Sequence, residues 1–424
     1  MAQALKFGKG VWATKTGSSM AYSDTNDRYK PLPFNVERDS IATRVNKEGL
    51  IEVVGHDKLR IDYTDTDKGV ALLEPSSTNL IHHSEAFDNT YWTKSGASVT
   101  SGFTSPSGDT SAFKLVEDTS NGQHYIEVSS LSILNTTKHT LSFYVKYNGV
   151  QFIRIFSSAL NSFTYFDVLN GSIGSTTAES NNIELLSNGW YRCEMTDESI
   201  STSTNFKISL AESDGVVVYI GDGTNGVEIF GAMLEANSFS TSYIPTSGSS
   251  VQRAADVANG SGNSEVFSDS QGVLFADIKG LVNGSTDRWI GINNGSTSNR
   301  IIIALTGVNN KLRFYSQGST TLSYNDINIL DHTMDNKIAL VYSDSQDSVK
   351  IYANGFLSYN QTSIPNFSGF KQLNFDNGGG AGSFHGKTKE IGYYDAVLTD
   401  SELEYLTSYR SLSELVKELN LNTL

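Results

Sequence analysis

A single cysteine, Cys193, stands in 424 residues, so no intrachain disulfide can staple the fold. Proline is scarce, with six in the chain, and charged residues are 18% against the roughly 25% usual for globular domains. Basic residues are in deficit: 31 Lys and Arg face 46 Asp and Glu, for a formal net charge of −15. Phosphate backbones and anionic membranes are held by Lys and Arg, so neither is an expected partner. No apolar run reaches the ~18–20 residues of a spanning helix, so membrane insertion is not expected. The opening MAQALKFGKGVWATKTGSS has no sustained apolar region of a secretory signal, and the expectation is synthesis in the cytosol without signal-directed export.

What is abundant is Gly, Ser, Thr and Asn, with aromatics at 11%. Many short strands joined by polar turns produce this mix. At roughly 150 residues per domain the length suggests two to three domains. Residues 1–75 hold only a loose apolar cluster (Phe7, Val11, Trp12) and two short strands, 51–54 and 59–63, around the turn 55–58. Such a segment reads as an extended arm that docks on a partner. Residues 76–250 carry strand after strand. Leu141, Phe143 and Val145 alternate with polar residues, as do Phe206, Ile208 and Leu210, and 216–220 reads as a central strand. The stretch 227–246, VEIFGAMLEANSFSTSYIPT, ends this series. Strict alternation would put Val227, Ile229, Gly231 and Met233 on one face and Glu228, Phe230, Ala232 and Leu234 on the other.

Residues 251–263 have linker composition, and a second strand series occupies 264–410. Within it Asn354–Gly355, between 349–353 and 356–360, is a two-residue hairpin signal. Helix signals come at the end. Thr399 and Glu402 fit a capping box, and Leu412, Leu415, Val416 and Leu419 predict an amphipathic helix over 411–424. The expected fold is mostly β: two antiparallel β-sandwiches, an N-terminal arm and a short C-terminal helix.

Several stretches carry a resemblance. SIATRVNKEGLIEVV, RIDYTD and LLEPSSTNLI (within 40–81) resemble the leader of many tailed-phage structural proteins. SEAFDNTYW, NGWYR and FGAMLEANSFSTSYIPT resemble the carbohydrate-binding-module-like jelly roll of phage fibres and spikes. KIALVYSDSQDSVKIYANGFL and FHGKTKEIGYYDAVLTDSELEYL resemble the laminin-G/concanavalin-like sandwich. The resemblance implies a non-enzymatic virion structural protein, a head or tail fibre or appendage, that adheres to host glycans. It implies virion localisation, attachment to other virion proteins through residues 1–75, and a homo-oligomer, with trimers common among phage fibres. A capsid decoration or tail-structural protein without ligand, and a polysaccharide depolymerase, are the alternatives.

The residues themselves argue against catalysis. Glycoside hydrolases of the concanavalin-like fold use two carboxylates on one strand, commonly spaced E-x-D-x-x-E, and Glu265–Asp269 and Glu390–Asp395 have the wrong spacing. There is no G-x-S-x-G elbow, and Cys193 reads as a core residue. His82 and His83, if on a strand, would point to opposite faces and could not share a metal. Both resembled folds often carry a structural calcium. Asp222 and Asn225, in an oxygen-rich loop, are its candidate ligands, and Asp118 and Asn121 form a similar loop. Ordinary Asp/Asn/Gly turns are the alternative for both. For sugar stacking the candidates are Tyr91 and Trp92 in the first sandwich and Trp289 and Tyr315 in the second, with core packing as the alternative for each. Trp190 reads as core.

Overall fold

In the computed structural model, which describes residues 5–8, 14–15, 18–19, 21–23, 28–30, 34–318 and 322–409, the strands 226–235 and 386–394 are the spines of two separate units. The expected mostly-β architecture is observed as two antiparallel sandwiches. One unit comprises residues 1–40, 55–75 and 255–424; the other comprises 41–54 and 76–254. The segment 411–424, expected to be helical, lies outside the described residues.

In the first unit an eight-stranded sheet faces a five-stranded one. Leu274, Ala276, Ile338, Leu340 and Ile351 from the larger sheet share one core with Ile290, Ile292, Ile301, Ile303, Leu312 and Phe314 from the smaller. The alternate residues Val273, Phe275, Ala339 and Val341 are also buried, under Leu398 and Leu403 at the helix Asp400–Thr407. Burial on both faces explains why 271–280 and 336–343 read as nearly continuous apolar runs. The helix begins where the capping box placed it: the Glu402 amide donates to Thr399 Oγ1 (3.3 Å) and the Thr399 amide to Glu402 Oε2 (2.8 Å). Asn354 and Gly355 take φ of 51° and 89°, as a primed two-residue turn requires, and join Ser348–Ala353 to Phe356–Thr362.

The N-terminal arm is corrected. Leu5–Gly8 and Val70–Leu73 both pair with Gly386–Tyr394, and Arg60–Asp62 extends the same sheet. These strands have no core of their own because they share one with residues more than 300 positions later. The strands 51–54 and 60–62 do not form a hairpin either: Ile51–Val54 pairs with Ala42–Val45 in the second unit. The linker 251–263 is corrected as well. Val251–Arg253 pairs with Ser77–Asn79 in the second unit, and Val257–Asn259 pairs with Asn35–Glu37 in the first.

A buried charge network closes the first unit. Arg38 and Arg60 are fully enclosed with Asp256 and Glu74. Arg38 Nη1 meets Asp256 Oδ1 at 2.7 Å, Arg60 Nη1 meets Glu74 Oε2 at 2.6 Å, and Arg60 Nη2 bonds Asp256 Oδ2. The Glu74 amide donates to Asp256 Oδ2 (2.8 Å), and Arg38 also donates to the carbonyls of Ser40, Gly55 and Lys58. Arg38 thus fastens the point where the chain leaves this unit to the point where it returns.

In the second unit two six-stranded sheets enclose Ile126, Leu141, Phe143, Ile153, Ile155, Cys193, Met195, Phe206, Ile208 and Ile229. Burial raises the Cys193 thiol well above its usual range, in keeping with a core role. Strand Gly226–Glu235 is central, between Ala112–Glu117 and Lys138–Asn148. Its alternation breaks at Gly231. Ser142 pairs with Met233 and Tyr144 with Phe230, so Gly231 and Ala232 together oppose Phe143. Gly231 adopts φ of 61°, and a Cβ there would lie 2.9 Å from the Tyr144 ring. This bulge keeps Val227, Ile229, Ala232 and Leu234 in the main core while Phe230 and Met233 point outward, which corrects the two-face reading. Asn79 satisfies the displaced backbone: its Nδ2 donates to Ala232 O (3.1 Å) and its Oδ1 accepts from Leu234 N (3.2 Å).

Candidate functional site

The two sheets of the second unit have different outer faces. That of the first is covered: Phe230, Met233, Tyr144 and Trp190 pack with Ile51, Tyr243 and Ile244. The hairpin 42–54 is held there by Thr43 Oγ1 donating to Tyr243 O (2.6 Å) and Ser187 Oγ donating to Gly49 O (2.6 Å). Trp190, expected in the core, is 1% exposed.

The outer face of the second sheet is partly closed: Ser209 and Tyr165 are buried on it, while Phe152, Arg154, Phe156, Phe163 and Tyr125 are half-buried. Its strands alternate. Ile153 and Ile155 enter the core while Phe152, Arg154 and Phe156 face out, and Phe166 enters while Phe163 and Tyr165 face out. Cross-strand register assembles two rows. Tyr125, Ser209, Arg154 and Tyr165 make one; Glu127, Lys207, Phe156 and Phe163 make the next. Phe152, Phe156 and Phe163 are half-buried in place. The Arg154 guanidinium lies 5.6 Å from the Phe156 ring centroid and 6.0 Å from that of Tyr165. The Lys207 ammonium sits 3.9 Å over Tyr125 and 3.3 Å from Glu127. At one end the loop after Ala211 reaches back across the sheet, where Asp214 accepts from the Ser175 amide (2.8 Å). That loop includes 216–218, expected to be central strand; Val218 is instead 57% exposed, Val216 bridges back to Ser213 within the loop, and Tyr219–Ile220 pairs with Asn121–Gly122. An aromatic face carrying fixed cations and bounded by a loop can stack apolar sugar faces and bind their polar substituents.

The expected site residues lie elsewhere. Trp92 is 1% exposed, packed between Phe87 and Phe206, with its indole N–H donated to His83 O (2.8 Å). Its faces are used by the core, so the platform reading is corrected. Tyr91 is half-buried, stacks on His82 at 5.4 Å and accepts the His82 amide at its hydroxyl (3.1 Å). His82 and His83 are not on a strand, and both rings approach Tyr91.

In the other unit Trp289 and Tyr315 do come together on the outer face of the five-stranded sheet. Their rings stack on each other at 4.7 Å, so each has one face already occupied. Arg300 lies 5.4 Å from the Tyr315 ring and donates to Asn377 O and Gln317 Oε1. Asp222 Oδ1 accepts from the amides of Thr224 (2.7 Å) and Asn225 (2.8 Å), and its Oδ2 accepts from Asn225 Nδ2 (2.5 Å). These bonds are those of an Asx turn. Among the described residues no group of three His, Cys, Asp or Glu side chains is arranged to hold a metal ion.

Beside Trp289, Arg288 and His332 tie down the loop before it. His332 Nδ1 accepts from the Gly284 amide (3.0 Å) and faces Arg288 Nη2 at 3.0 Å, so the proton is on Nε2, which donates to Lys311 O (2.8 Å). Burial, aided by Arg288 and opposed by the Lys311 bond and Asp331, lowers the His332 pKa. A histidine whose folded pKa is depressed takes up its proton more readily when unfolded. Stability of the first unit should therefore fall as pH drops below about 6.5, the unfolded value, toward the folded one. The midpoint of its urea transition at pH 7 and pH 5 checks this: H332Q should shrink the difference, and an equal difference in H332Q would assign it elsewhere.

No family model matches the chain, and no curated protein matches it. The described fold and faces define a two-unit β-sandwich protein. Among solved structures it is similar to the Ruminococcus gnavus IT-sialidase CBM40 bound to alpha2,3 sialyllactose, at 18% identity and a TM-score of 0.30 over 33% of this chain and 83% of that one. It is similar to a heptameric SAP-like pentraxin from Limulus polyphemus, at 14% identity and a TM-score of 0.27 over 34% and 71%. The NanB sialidase from Streptococcus pneumoniae gives 15% and 0.30 over 35% and 26%. Likeness at these scores names neither ligand nor activity.

Proposed function

We propose that this chain is a non-enzymatic glycan-binding protein and that it serves as an appendage, a head or tail fibre, of a tailed-phage virion. The observation that carries the binding half is the set of half-buried side chains Phe152, Phe156, Phe163, Tyr125 and Arg154 held on one outer sheet face. A rigid sheet preorganises these rings, which limits the ordering cost of binding. The virion half is supported by the leader and sandwich stretches quoted above, and it carries the localisation with it. The non-enzymatic half is supported by the missing carboxylate spacing. On a glycan array the full chain should bind, and F156A should weaken the best ligand about tenfold, ~1.4 kcal/mol, with unchanged unfolding. No binding to any glycan removes the reading. Release of reducing ends from host polysaccharide would make the chain a depolymerase, and its absence from purified particles would remove the virion role.

A further inference from the structure

We propose that the outer face of the second unit selects a carboxylate-bearing sugar, with the half-buried Arg154 as the anchor; this rests on the glycan-binding reading. Arg154 makes no hydrogen bond to any described residue, and its Nε is buried without an acceptor. Ser209 Oγ is likewise buried and unpartnered. The two residues are directly opposite on neighbouring strands, so their side chains share one spot on the face. Ser209 is sealed beneath that spot, so Arg154 alone can meet a ligand there. A buried donor left unpaired is costly, and the Arg154 Nε points to a ligand that supplies its partner.

The other charges on the face are engaged. Lys207 pairs with Glu127 at 3.3 Å. Asp167 accepts from Gln151 Nε2 (2.8 Å), Asn170 Nδ2 (2.8 Å) and the amides of Leu169 and Asn170. Among the described residues Arg154 has no ion-pair partner, in a chain whose net charge is −15. Its guanidinium is fixed against Phe156 and Tyr165, which orients its donor fork. That fork matches a carboxylate with two parallel hydrogen bonds. One unpaired cation suits one carboxylate and not a polyanion, which needs several. Phe152 and Phe156 on either side supply surface for the apolar face of the same sugar.

The experiment uses the full chain on an array carrying hexuronate-containing oligosaccharides, their methyl-esterified forms and neutral oligosaccharides. The expected result is binding to the acidic set, loss on esterification, and a ten- to hundredfold loss in R154Q, whose unfolding curve matches the parent. Binding confined to neutral glycans, or acidic binding that R154Q leaves intact, overturns this proposal and keeps the glycan reading. No glycan binding overturns both. A dimer in solution that F156A dissociates would assign the face to a second copy and overturn both as well.

Discussion

Replacing Asp256 with alanine should cost the first unit about 3–5 kcal/mol, because it removes a buried carboxylate that pairs with both Arg38 and Arg60. Both guanidiniums are fully enclosed, so neither can turn to water. Glu74 pairs with Arg60, and the Glu74 amide loses its acceptor, Asp256 Oδ2. Arg38 would keep its bonds to the carbonyls of Ser40, Gly55 and Lys58, which are neutral and do not replace the lost carboxylate. The effect should be confined to the unit that holds the network. In urea, the transition reported by the first unit should move to lower concentration while that of the second stays. If D256A leaves both transitions in place, the network is not what closes this unit.

Trp92→Ala should be nearly as damaging to the second unit, at about 3–5 kcal/mol, or roughly 6–20 °C in its melting midpoint. The indole fills the space between Phe87 and Phe206 and spends its N–H on His83 O. Truncation removes a large buried side chain and leaves a cavity next to an unpaired carbonyl. A sugar platform would behave in the opposite way, losing affinity with little loss of stability. Below its melting point W92A should retain binding at the Phe156 face. A stable W92A protein that fails to bind glycans would return Trp92 to the ligand site.

These two residues show how much could be read without the fold. Trp92 and Trp289 have the same alternatives in sequence, because an aromatic side chain serves a core and a sugar equally well. Only packing separates them: one is sealed, the other stacks on Tyr315. Arg154, the proposed anchor, is not among the candidates read from the sequence, although a signal for its face is present. In QFIRIFSS, both alternating sets contain large apolar side chains, so one of them must face away from the core. An arginine between two such phenylalanines marks that face.

What the sequence determines by itself is local. The period-two patterns specify strands, Asn354–Gly355 specifies a primed turn, and Thr399 with Glu402 starts the helix, because each depends on residues a few positions apart. The change of unit near residue 254 was visible as a change in composition. Only tertiary structure decides that Leu5–Gly8 and Val70–Leu73 flank Gly386–Tyr394, since strand pairing carries no local code for its partner. It also decides that Gly231 breaks the alternation, because the bulge exists only against Phe143 across the sheet. And it decides how each outer sheet face is used: the hairpin 42–54 covers one, and the other holds the half-buried Arg154.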